Sequence, residues 1–194
     1  MPILLLVAAY LVGGIPFGVL LARRLAGRDV RSEGSGNIGA TNVARVAGKK
    51  LGALTLLLDA AKGLGAVLVA RVVLGPDPSH ELWENLAGFS AVLGHCFSPY
   101  LRLRGGKGVA TSFGVFLIVA PWAALAGFVA WAALYALTRI SSLGSLVAAV
   151  VVPGAVYALG SRLDFYLALA TVALVLLRHQ GNIRRLLSGK ESTA

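Results

Sequence analysis

The sequence predicts an all-α, polytopic integral membrane protein, on three observations. Only 26 of its 194 residues are charged (13%), about half the share of a soluble domain, against 57% hydrophobic residues and a mean hydropathy of +0.80. The uncharged residues form runs: Met1–Ala22, Asn85–Leu101, Gly108–Thr138, Ile140–Ser161 and Phe165–Leu177 contain no Asp, Glu, Lys or Arg. These runs are continuous rather than alternating, which suits helices and not barrel strands. A bilayer core of about 30 Å takes roughly 20 apolar helical residues.

Seven transmembrane helices follow, over Ile3–Ala22, Leu51–Val73, Leu82–Pro99, Val109–Ala120, Trp122–Thr138, Leu143–Leu159 and Leu163–Leu177. The first has no basic stretch before it and exceeds a signal-peptide core, so it reads as a retained helix. The second carries Asp59 and Lys62, spaced i and i+3, which are expected to pair and hold its register. Between Lys107 and Arg139 lie 31 residues, about 46 Å as one helix and too long for one span. Pro121, near the middle, divides them into two short helices and returns Lys107 and Arg139 to one face. With seven spans, Arg23–Lys50, Leu101–Gly108, Arg139–Ser142 and the tail share a side holding 15 of the 18 Lys and Arg residues. The N-terminus is therefore outside and the C-terminus cytoplasmic. Residues 1–194 form a single domain ending in a short amphipathic segment, 178–194.

Topology accounts for the net charge of +10 and the pI near 10.5, and no nucleic-acid partner is expected. One cysteine, Cys96, excludes a disulfide framework and a Cys-rich metal site, and reads as a small buried apolar residue. Trp83 and Trp122 suit an outer interfacial belt; neither they nor Trp131 carry a cofactor signal.

The chemistry lies in the cytoplasmic loops. Gly34, Gly36 and Gly39 match G-x-G-x-x-G, and Asp59 lies twenty residues further on, but no strand precedes them and a dinucleotide site is rejected. The glycines still let amides converge on an anion, with Ser35, Thr41 and Asn42 as donors and Arg45 as charge. Gly105-Gly106-Lys107-Gly108 lacks the Walker A glycine and hydroxyl. As a helix start it is nonetheless electropositive, with Lys107 the functional residue and Arg102 and Arg104 topology anchors. His95 is a candidate acid or base near the cytoplasmic end of an uncharged helix. In Ser141–Ser145, Ser141 or Ser142 suits an N-cap, and the hydroxyls suit a phosphate oxygen. His179 and Asn182 share a face if helix continues through Gly181. The acids on this side are Asp29, Glu33 and Glu191 alone, so Mg²⁺-dependent phosphoryl chemistry is disfavoured and no metal or other cofactor is expected.

These segments together resemble the bacterial acyl-phosphate:glycerol-3-phosphate acyltransferases of the PlsY type. The likeness runs through Gly34–Asn42 with Arg45, Asp59-Ala60-Ala61-Lys62-Gly63, Gly94-His95, Gly105–Gly108, Ser141–Ser145, Arg178-His179, Asn182-Ile183 and Arg185-Leu186. The resemblance implies an inner-membrane enzyme, active at the cytoplasmic face as a monomer. It would transfer an acyl group from acyl phosphate to glycerol 3-phosphate, releasing lysophosphatidic acid and phosphate. Carried over, it gives Ser35, Arg45, His95 and Lys107 catalytic roles. Substrate binding falls to Gly36, Asn37, Gly39, Ala40, Thr41, Asn42, Gly105, Gly106, Ser142, Ser145, His179 and Asn182. The Ser35–Asn42 segment would hold the acyl-phosphate phosphoryl group. Arg45, Lys107, Ser142, His179 and Asn182 would hold glycerol 3-phosphate. The proton would go to a substrate phosphate oxygen, with His95 as the competing base. An acyl-CoA or carrier-protein donor predicts a His-x4-Asp motif, for which His80 with Glu84 lacks the Asp and lies outside. An anion transporter predicts an inverted repeat and midplane polar residues, neither of which the sequence has.

Overall fold

The structure, a computed structural model, describes residues 1–193. Among them are ten α-helices and no strand: α1 (Pro2–Gly14), α2 (Phe17–Ala26), α3 (Ala40–Ala47), α4 (Lys49–Leu74), α5 (Glu81–Cys96), α6 (Val109–Val119), α7 (Pro121–Thr138), α8 (Ser141–Leu159), α9 (Arg162–Arg178) and α10 (Gln180–Leu187).

 Four stretches are long and apolar enough to cross a membrane: α1 with α2 (Pro2–Ala26), α4, α7 and α8. The α9–α10 pair makes a fifth, bent by 62°. The α5 and α6 helices, of 16 and 11 residues, are shorter.

Prolines set the breaks. The first apolar run is not one helix: α1 stops before Pro16, whose ring and missing N–H interrupt the ladder, and α2 resumes at Phe17. Pro121 divides the long run as its sequence predicts, with α6 ending at Val119 and α7 beginning at Pro121. The serine N-cap expected for α8 does not form. Ile140 holds the cap position, its amide bonded to Thr138 Oγ1 at 3.1 Å, so Ser141 and Ser142 fall inside the helix with their hydroxyls free for other partners. The loop after α2 also contains a helix, α3, that its glycines had concealed.

Small residues bring the helices together. A Cβ on Gly63 would overlap the Thr111 carbonyl, and one on Gly114 the Ala60 carbonyl, so α4 and α6 meet backbone to backbone. Such close approach favours association where lipid is as apolar as the helices themselves. Val67, Val92, Val115, Phe116, Leu167 and Ala168 form the core between α4, α5, α6 and α9. Large apolar side chains cover the outside instead of polar ones: Val72, Leu137 and Leu159 are each at least 75% exposed, as lipid-facing residues are. At the end remote from the loops, Arg71 pairs with Glu84 at 2.8 Å and Asn85 donates to Asp164 at 2.9 Å. Ser161 and Asp164 close a capping box on α9 there.

Candidate active site

The loop before α3 is organised by the Asn42 amide. Its Oδ1 accepts from the Ser35 N–H at 2.8 Å, and its Nδ2 donates to the carbonyls of Val30, Glu33 and Asn37. Asn37 Oδ1 in turn accepts from the Gly39 N–H at 2.8 Å, and the Gly36 N–H bonds to Glu33 O. The expected cradle of amides from Ser35 to Gly39 is therefore largely occupied from within, because the turn satisfies its own donors. Asn42, expected to bind substrate, holds the loop with its amide and also borders the cavity of the site. The donors left without an acceptor among the described residues are the N–H groups of Asn37 and Ile38 and the first two of α3, those of Ala40 and Thr41. A helix start with uncapped amides favours an anion. Gly36 has φ +70°, a conformation that a side chain would strain.

The amides of the Gly105-Gly106 pair are likewise taken. Both amides are bonded to the end of α5, Gly105 to Cys96 O and Gly106 to His95 O, and both carbonyls accept from the Arg178 guanidinium at 2.8–3.0 Å. A Cβ on either would strike His95. They are glycine because the loop lies flat against α5, and they offer no free amide to substrate. What the arrangement delivers is Lys107, which makes no ion pair or hydrogen bond among the described residues. Burial pushes the Lys107 ammonium down to about 8; Glu191 opposes this, while Arg185, Arg45 and Arg178 add to it.

Asp59 and Lys62 pair as expected, at 2.8 Å, but they are not alone. Lys62 Nζ also lies 2.8 Å from His95 Nδ1 and donates to Ile15 O at 3.0 Å. An ammonium has only hydrogens to give, so His95 Nδ1 accepts and Nε2 carries the ring hydrogen. That hydrogen lies on the side facing Gly106.

From the other side come α8 and the chain end. Thr41 and Ser141 hydroxyls meet at 3.1 Å, and Ser145 bonds back to Ser141 O. His179 sits at the bend between α9 and α10, fully buried, its Nδ1 2.8 Å from Val175 O. A carbonyl only accepts, so Nδ1 bears the hydrogen and Nε2 is free to accept. Helix does continue through Gly181, but only after that bend. Glu191 reaches back into the site: Oε1 accepts from Ser142 Oγ at 2.7 Å and from Asn182 Nδ2, and Oε2 from Arg185 Nε at 2.7 Å. Burial alone would raise the Glu191 carboxyl; these three hydrogen bonds outweigh it and hold it below the usual range.

These groups surround a cavity of about 480 Å³. Its polar end is lined by Ser35, Asn37, Gly39, Ala40, Thr41, Asn42, Arg45, His95, Lys107, Ser142, Ser145, His179 and Asn182, and its remainder by Leu56, Leu57, Phe113, Phe128, Trp131 and Val152 among others. A second cavity of about 350 Å³ shares Ser35, Asn37, Lys107 and Asn182 and adds Gly36, Gly105, Arg104, Arg178 and Arg185. Gly106 lines neither. Arg104, read from sequence as a topology anchor, thus belongs to the site, whereas Arg102 does not. Sequence reasoning also missed Glu191, Arg178 and Arg185 as site residues. Arg178 and Arg185 stood within recognisable motifs, while Glu191 carried no signal.

Comparison with known proteins identifies the family. A family model described as glycerol-3-phosphate acyltransferase matches residues 3–189. A glycerol-3-phosphate acyltransferase of Anaeromyxobacter dehalogenans is 53% identical over 190 residues, 97% of this chain and 94% of that one. One from Myxococcus xanthus is 52% identical over 184 residues, 94% of each. Among solved structures, PlsY (YgiH), an integral membrane glycerol 3-phosphate acyltransferase, superposes in its glycerol 3-phosphate form with a TM-score of 0.92. Identity there is 38%, over 100% of this chain and 95% of that one. Its lysophosphatidic acid form gives a TM-score of 0.90 at the same identity, over 99% and 94%. The chain belongs to the glycerol-3-phosphate acyltransferase family of the PlsY type.

Proposed function

We propose that this protein transfers a fatty acyl group from acyl phosphate to the 1-hydroxyl of glycerol 3-phosphate, giving lysophosphatidic acid and inorganic phosphate. The observation that carries the reading is that the larger cavity joins a cationic, hydroxyl-lined head to an apolar body, a shape for an amphiphile with a phosphorylated end. The alcohol oxygen attacks the acyl carbon, the bond from that carbon to the phosphate oxygen breaks, and the hydroxyl proton passes to a phosphate oxygen. An acyl phosphate is already an activated mixed anhydride, so neither metal nor nucleotide is needed, and the work is positioning and charge stabilisation.

In this reading the Ala40 and Thr41 amides, with Ser35, take the acyl-phosphate phosphoryl group. Arg45, Lys107 and Asn182 hold glycerol 3-phosphate, and His179 Nε2 accepts from one of its hydroxyls. Each charge-assisted contact contributes on the order of 1.5–3 kcal/mol. His95 is a positioning residue, since its accepting nitrogen is already taken by Lys62. The acyl chain lies along Leu57, Phe128 and Val152.

We also place seven spans across the inner membrane, N-terminus outside, C-terminus and site cytoplasmic. The support is that the basic segments 35–45, 104–107 and 178–185 meet at one site.

Phosphate release from palmitoyl phosphate by the purified protein in lipid tests the reaction. Release should require glycerol 3-phosphate, yield lysophosphatidic acid without Mg²⁺, and fall by about 10²–10³ in Lys107→Ala. Turnover only with palmitoyl-CoA or an acyl carrier protein would overturn the donor assignment. Transport of glycerol 3-phosphate into liposomes without turnover would overturn the reaction itself.

A further inference from the structure

The carboxylate of Glu191 is the feature that the reaction above leaves unused. It lies inside a strongly basic site, only 7% exposed at its side chain, on a segment of the chain that follows the last helix. Its three hydrogen-bond partners come from two different elements, Ser142 from α8 and Asn182 and Arg185 from α10. Two residues further on, Thr193 O accepts from the Arg45 guanidinium of α3 at 3.1 Å. The segment therefore straps together α3, α8 and α10, the elements that present Arg45, Ser142 and Asn182. Of these, α10 packs chiefly on α9 and is set off from it by the 62° bend, so its position over the cavity depends on that strap.

Donor accounting sharpens the role. An ionised carboxylate has no hydrogen, so the single hydroxyl hydrogen of Ser142 is committed to Glu191. Ser142 can then offer only oxygen lone pairs to the cavity, and those match a substrate hydroxyl rather than a phosphate oxygen. Asn182 keeps its second amide hydrogen and its carbonyl oxygen. Lys107 has no ion-pair partner, and Arg45 meets only the Thr193 carbonyl, so both keep their charge for phosphate.

We propose that Glu191 is a positioning residue: it clamps Ser142 to Asn182 and turns the Ser142 hydroxyl into an acceptor for a hydroxyl of the glycerol substrate. The proposal rests on glycerol 3-phosphate as substrate.

The test is steady-state kinetics of the full chain in lipid with palmitoyl phosphate, varying each substrate in Glu191→Ala, Glu191→Gln, Ser142→Ala and the double Ala variant. Glu191→Ala should raise KM for glycerol 3-phosphate about tenfold or more and leave KM for palmitoyl phosphate within about twofold. Glu191→Gln keeps an acceptor oxygen toward Ser142 and Asn182, so it should recover most of the loss. The double variant should be no worse than the poorer single one, because the two residues act as one unit. Calorimetric titration with glycerol 3-phosphate reads the same weakening without turnover, so a wrong acyl donor leaves the clamp testable. Wild-type protein that fails to bind glycerol 3-phosphate would overturn clamp and substrate together. An unchanged or lowered KM for glycerol 3-phosphate in Glu191→Ala would show a carboxylate that is idle or competes with phosphate, and would overturn the clamp alone. So would equal rises for both substrates, or additive losses. If Glu191→Ala does not fold, as judged by thermal unfolding in detergent, the Gln variant and Ser142→Ala carry the test.

Discussion

Two groups of buried ionisable residues lie within the same bundle and are built to opposite ends. Asp59, Lys62 and His95 are each at most 5% exposed and pair with one another, with the Ile15 carbonyl taking a further Lys62 hydrogen, while Asp59 Oδ1 accepts no hydrogen bond. Lys107 is part-buried as well, yet it has no ion-pair or hydrogen-bond partner among the described residues and faces a cavity. The first group is paired internally and fixes α4 against α5 and the end of α1, although Asp59 and His95 also line the large cavity. The second leaves its charge uncompensated, which is what a site for a dianionic substrate requires. Burial alone does not distinguish a structural ion from a functional one; the partner count does.

The comparison breaks most visibly if one member of the closed group is removed. Asp59→Ala leaves Lys62 charged and unpaired, and should destabilise the protein by about 3–5 kcal/mol, seen as a large drop in the thermal midpoint in detergent. Lys107→Ala should do the reverse, lowering kcat/KM by about 10²–10³ while the thermal midpoint stays level or rises. Equal destabilisation by the two substitutions would erase the distinction.

A pH series sharpens it further. With Lys107 titrating near 8, kcat/KM for glycerol 3-phosphate should fall about tenfold per unit above that, as the ammonium is lost from the free enzyme. Stability should move the other way. Between about 8 and the ordinary 10.5 the unfolded chain binds more protons at this lysine than the folded one, so unfolding free energy rises with pH across that window. Below about 8 both states carry the proton and the contribution is flat. The smallest effect separates two neighbours: Arg104→Ala should raise KM severalfold, and Arg102→Ala should change it less than about twofold, since only Arg104 lines a cavity.

Much of the fold was legible because its signals are local. Uncharged runs give helices, Pro121 gives a break, and the three-residue spacing of Asp59 and Lys62 gives their pair. The site was legible as a set of segments but not as a set of roles. Whether the Gly39 amide faces a ligand depends on Asn37, two residues back; whether Asn42 does depends on Val30 and Glu33. Gly105 and Gly106 look like an anion cradle in sequence, and only the approach of His95 shows them to be a packing surface. His95 joins Lys62 across 33 residues, and Glu191 meets Ser142 across 49; nothing in local spacing announces either contact.

The apolar wall of the large cavity includes Leu57 and Phe128, which are 65% and 45% exposed on the flank of the bundle. The cavity therefore opens toward hydrocarbon as well as toward water. Under the proposed reaction one substrate arrives from a volume and the other from a sheet. Turnover would then follow the mole fraction of acyl phosphate in the membrane, and diluting the vesicles with inert phospholipid at constant bulk amounts would slow the enzyme.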